Sequence, residues 1–118
     1  MENTTLEIIA DKWIESHSKS EISEFDEIFS DNDPDTYLDI ILSILDKIDA
    51  NEENPLFSAL AVGPLEDLLQ DNGDKVINRV VNLARQNPDF RKLLNGVWDS
   101  EFQEPIKTKL AKYLKNRW

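Results

Sequence analysis

The chain has 118 residues, 40% of them hydrophobic, with 24 Asp and Glu against 13 Lys and Arg and a formal net charge of −11. This length and apolar content fit one folded domain over residues 1–118 and exclude wholesale disorder. The absence of Cys excludes disulfides, thiolate catalysis and Cys-ligated zinc, and no apolar run approaches the ~18 residues of a membrane span.

Thr4-Thr5-Leu6-Glu7 has capping-box spacing. Leu6, Ile9, Ala10, Trp13, Ile14 and His17 then recur at helical period and predict the first helix. A short acidic segment follows, with Ile22, Phe25, Ile28 and Phe29 as its apolar face. The five prolines organise the rest. Asp33, Asn54, Gly63 and Asn87 each precede a proline and are good N-caps, and Pro fits the first helical turn, where its missing N–H would be unpaired anyway. Pro34 therefore starts a helix reaching about Asp49, apolar over more than half its circumference and expected to be the most buried. A helix from Pro55 to Val62 is expected to break at Gly63-Pro64. The next starts at Pro64 and stops at Asn72-Gly73, a C-cap signature, before a restart. Val76, Ile77, Val80, Val81 and Ala84 line a further helix ending near Gln86. Pro88 to Asn95 forms a short one closed by Gly96. The last begins near Pro105, with Ile106, Leu110, Tyr113 and Leu114 on one side. The fold class is all-α: a compact antiparallel bundle, or a short array of helical pairs, of about six or seven helices. Gly63→Val is expected to damage folding more than Gly96→Ala, because Gly63 sits between two apolar helices with proline directly after it, where a β-branched residue restricts the backbone most.

The charges are sorted along the chain. Residues 1–74 hold 20 carboxylates against Lys12, Lys19 and Lys47, whereas residues 75–118 hold ten Lys and Arg against four carboxylates. This division points either to an electrostatic partner or to halves that neutralise each other. Chemistry is thinly represented. His17 is the sole His, so no Ser-His-acid set can be assembled without it, and no phosphate-binding glycine loop or H-E-x-x-H is present. Asp31-Asn32-Asp33-Pro34-Asp35 opens like a calcium loop, but Thr36 stands in the turn-Gly position and Leu42 in that of the bidentate Glu. A helix cap at Asp33 explains the cluster better. The expectation is therefore no enzyme activity, no cofactor and no metal site.

Leu60 to Leu69 is the distinctive segment. With Gly63 as cap, Glu66 falls at the third helical position, facing the free N–H groups and the helix dipole, and Glu66 or Asp67 could pair with Arg79 or Arg91. The run Ala61-Val62-Gly63-Pro64-Leu65-Glu66-Asp67-Leu68-Leu69 is followed by Gly73, by Ala84-Arg85-Gln86-Asn87-Pro88-Asp89-Phe90-Arg91 and by Gly96-Val97-Trp98. Over Phe57 to Trp98 the chain thus resembles a family of small uncharacterised bacterial proteins. The resemblance implies a small helical domain in which Gly63, Pro64, Glu66, Asp67, Gly73 and Trp98 are structural motif residues, and it brings no activity with it. In size and acidity the chain also resembles the immunity proteins that bacteria pair with secreted toxins.

Glu24, Asp26, Glu27, Asp31, Asp35 and Asp39 lie within 16 residues, with Phe25, Phe29 and Tyr37 among them. Such a surface attracts a basic protein and repels nucleic acid and anionic membrane. These six acids are the expected partner-binding residues. The C-terminal lysines Lys107, Lys109, Lys112 and Lys115 are expected to serve the helix dipole or the acidic half rather than nucleic acid. Met1 to Thr5 shows no basic region ahead of an apolar stretch, which reads as a cytoplasmic location. The sequence thus points to a non-enzymatic binding protein, monomeric when free. It is read as an immunity protein neutralising a basic toxin, with a helical scaffold or adaptor domain as the alternative.

Overall fold

A computed structural model describes residues 3–18, 33–115 and 118, with side chains over 6–15, 33–115 and 118. Helices account for the regular structure, and no strand occurs among the described residues. The helices are α1 (Asn3–Ser18), α2 (Pro34–Leu45), α3 (Pro55–Leu60), α4 (Glu66–Gln86), α5 (Pro88–Leu94) and α6 (Glu104–Leu110). A π-helical turn, Ala61–Leu65, joins α3 to α4 without a gap, and a 3₁₀ turn, Ala111–Tyr113, extends α6. Because residues 55–86 run on continuously, the described residues form five helical bodies rather than the six or seven expected.

The prolines act as helix starts at three of five positions. Asp33 accepts the Thr36 N–H at 2.9 Å, Asn54 that of Leu56 at 3.1 Å, and Asn87 those of Asp89 and Phe90 at 3.0 and 3.1 Å. Each cap satisfies donors that the first turn leaves over. At Pro105 the start lies one residue earlier: α6 opens at Glu104, after the extended Gln103. At Pro64 the expectation fails. Pro64 lies inside a helical run, where its ring opposes the carbonyl of Leu60 and it offers no N–H. The chain absorbs this by widening one turn, with the Glu66 N–H reaching Ala61 O, a π-type i→i−5 bond. The turn therefore replaces the break that Gly63-Pro64 predicts.

The second expected stop, Asn72-Gly73, is a kink. Asn72 has φ −139° and ψ 26°, and α4 continues beyond it to Gln86. Gly73 serves close approach instead of capping: a Cβ there would lie 3.1 Å from the Ile106 side chain of α6. Room for a Cβ is greater at Gly63 than at Gly96, which runs against the steric part of the expectation for Gly63. A Cβ at Gly63 meets nothing within 4 Å, whereas one at Gly96 would lie 2.3 Å from the Trp118 ring.

A single apolar cluster draws on every helix, from Ala10 and Trp13 of α1 to Ile106 and Leu110 of α6. Helix α2 supplies Leu38, Ile40, Ile41, Ile44 and Leu45, and packs against α1, α3, α4 and α5, in keeping with its apolar circumference. It ends at Leu45, short of Asp49, and Ile48 and Ala50 cover the core from the loop that follows. Helix α4 buries Leu68, Leu69, Val76, Ile77, Val80 and Ala84 in one stripe across its kink. Fully buried side chains of this size contribute about 1.5–3 kcal/mol each. At the far end the terminal Trp118 stacks on Phe57, with ring centroids 5.3 Å apart, and its indole N–H donates to Lys92 O at 2.6 Å.

Candidate functional site

The motif residues converge on the π turn. Pro64 O, within the turn, accepts the Tyr37 hydroxyl of α2 at 2.7 Å. One residue past the turn, Glu66 extends its carboxylate across to the loop after α5, where Oε1 accepts the Trp98 N–H at 2.8 Å. Glu66 is therefore not the third residue of a capped helix, as the Gly63 cap would have required. Its carboxylate fixes another segment of chain. Gly63 and Pro64 build the turn, Glu66 anchors Trp98, Asp67 stands exposed beside it, and Gly73 admits Ile106 one kink further on.

Trp98 itself is held by its backbone and free in its ring. Val97 before it and Phe102 after it are buried, and the Phe102 N–H closes a turn on Asp99 O at 3.0 Å. Between those anchors the indole is 70% exposed, the largest exposure of any large apolar side chain among the described residues. Val62, within the π turn and one turn before Glu66, is 42% exposed.

The acidic side is tied to the basic half. Arg79 of α4 reaches α2, donating to Asp35 O at 3.0 Å and to the Asp39 carboxylate, with Asp35 Oδ1 3.6 Å away. Arg79 is thus bound to Asp35 and Asp39, and Arg91 donates to Ala84 O at 3.2 Å. Lys92 pairs with Glu52 at 2.9 Å, a second link between the two halves. That contact, led by the Lys92 hydrogen bond, lowers the Glu52 pKa below its ordinary 4.5. Lys47 pairs with Asp11 at 3.2 Å, inside the acidic half. The Asp33 pKa is also lowered, first by the Thr36 backbone N–H and then by its hydroxyl. The sorted charges therefore serve in part as internal counter-charges. Of the six expected partner-binding acids, Asp35 and Asp39 are joined to Arg79, and Glu24, Asp26, Glu27 and Asp31 lie outside the described residues, as does the His17 side chain.

Lys109 and Lys112 border an open groove of about 600 Å³, together with Asn78, Val81, Asn82 and Thr108. No group of three His, Asp or Glu side chains able to hold a metal ion occurs among the described residues. None of the described helices is long and apolar enough to cross a membrane.

Sequence reading missed several of these roles. Tyr37, an aromatic of the helix from Pro34 that lies among the acids in sequence, braces the π turn. Asn95, the one buried polar residue among those described, donates to Arg91 O at 2.8 Å and to Tyr113 O at 2.9 Å, tying α5 to the C-terminal turn. Its neighbour Gly96 signalled a helix end, and nothing in the local pattern marks an 18-residue reach. The chain matches no curated protein and no solved structure. It matches the model of a family of unknown function, DUF6869, across residues 12–117, and it belongs to that family.

Proposed function

We propose that the protein is a non-enzymatic binding protein of the bacterial cytoplasm, an immunity-type inhibitor that neutralises a basic toxin, with a nuclease as the target class. It acts by occlusion: its carboxylates take the places of the phosphates that the toxin would grip, and aromatic side chains supply the contact energy. One observation carries this reading. The described side chains include no buried charge, so folding leaves the described carboxylates at least partly exposed. With 24 acids against 13 bases, internal pairing cannot neutralise them. A negative surface of this kind steers a cationic partner into encounter and excludes nucleic acid from the same face.

The test is surface plasmon resonance against the partner that co-purifies with the chain from its host. Asp26, Glu27 and Asp31 are changed together to Lys, and Asp35 is kept because reversal there would set a cation beside Arg79. Slower association, with a flatter salt dependence and an unchanged circular dichroism spectrum, is the expected result. Identical association kinetics in a folded triple variant would remove this acidic segment as the binding face.

A further inference from the structure

We propose that Trp98 is the recognition point for the partner, and that it receives an arginine side chain from a basic segment. This inference rests on the reading of the protein as a binder of basic proteins.

Three observations lead to it. Trp98 is 70% exposed although its backbone is fixed, by the Glu66 carboxylate at 2.8 Å and by the buried Val97 and Phe102 on either side. A large aromatic on a rigid base loses little freedom on binding, which is why Trp dominates interface hot spots. The two segments that this hydrogen bond brings together, residues 61–73 and 96–103, carry Glu66, Asp71 and Glu101 among their acids and contain no Lys or Arg. Their combined charge selects a cationic occupant. Val62, 42% exposed and one turn from Glu66, adds apolar surface on the same helix.

The chemistry narrows the occupant to a guanidinium. An indole face attracts a cation through its quadrupole, and Arg stacks flat on it more readily than a strongly hydrated ammonium does. The planar fork also suits a carboxylate, such as that of Glu66 at the Trp98 backbone. A basic segment containing Arg satisfies both features, whereas a neutral apolar segment would leave the Glu66 carboxylate facing a desolvated contact. The π turn also acquires a role here. It widens the helix just ahead of Glu66 and so sets where the carboxylate meets the loop.

The probes are a hexa-arginine and a hexa-lysine peptide, titrated at low salt into the ¹⁵N-labelled full chain. The Trp98 indole N–H resonance is assigned by its loss in Trp98→Phe. Hexa-arginine should shift that resonance and bind more tightly than hexa-lysine. Trp98→Ala should weaken hexa-arginine binding by about fivefold or more, with a melting temperature close to the parent because the ring is mostly in solvent. Hexa-arginine binding that is unchanged in Trp98→Ala overturns the assignment of Trp98 and leaves the basic-partner reading standing. Equal affinity for the two peptides overturns guanidinium recognition. Failure of the parent protein to bind either peptide overturns the basic-partner reading and this inference with it.

Discussion

Glycine positions show how far a single atom can matter in this chain. Gly63 occupies an open side of the π turn, so a Cβ there meets nothing within 4 Å. Gly96 lies under Trp118, and a Cβ would intrude to 2.3 Å of the ring. The indole must then leave its stack on Phe57 and its bond to Lys92 O. Gly63→Ala should therefore be neutral or stabilising, by up to about 1 kcal/mol, because Ala restricts the unfolded chain and suits a helix. Gly96→Ala should destabilise, by roughly 1–3 kcal/mol, the usual range for forcing atoms into an occupied site. Urea denaturation of the two variants tests this, and equal midpoints would show that Trp118 moves aside at no cost.

Among the elements, α2 has the clearest control over its own start. The Asp33 carboxylate accepts both the Thr36 N–H and its hydroxyl, and these bonds favour the charged form, lowering the folded pKa below 3.8. A carboxylate with a depressed folded pKa contributes stability that is complete above its unfolded value. That stability is lost as pH falls below 3.8 and through the lowered folded value. Asp33→Asn keeps a competent cap that does not titrate in this range. The parent should exceed Asp33→Asn in melting temperature at neutral pH, with the gap closing as pH falls to about 3. A gap that widens on acidification would contradict the cap's charged state. Glu52 adds a change of the same sign through Lys92.

For the molecule as a whole, two electrostatic effects oppose each other. Ion pairs from Arg79 and Lys92 join the basic half to the acidic half, yet a net charge of −11 remains to repel itself. The paired side chains are all partly exposed, and such pairs contribute about 0–1 kcal/mol each. The distributed repulsion should win, so melting temperature should rise as NaCl increases from about 10 mM to about 0.5 M, where the Debye length shortens to a few ångströms. A fall over that range would mean that the pairs between the halves outweigh the repulsion.

The sequence alone determined the helical class, the caps at Asp33, Asn54 and Asn87, and the buried stripes of α1, α2 and α4. Those features depend on residues within about one turn of each other, so local pattern is enough to read them. It also determined that charge would remain at the surface, since the carboxylates outnumber every available cation. It misread the places where distant segments meet. Gly63-Pro64 looks like a break because proline opposes regular helix, but apolar contacts on both sides favour continuity, and one widened turn reconciles the two. Asn72-Gly73 looks like a stop because glycine is the usual terminator, but Gly73 is small so that Ile106 can approach it. The pairing of Glu66 with Trp98 spans 32 residues and that of Arg79 with Asp39 spans 40. No local periodicity encodes such distances. Only the packing of α2, α4 and the loop after α5 around one core decided which carboxylate anchors a backbone, which meets an arginine, and why Trp98 stands in solvent.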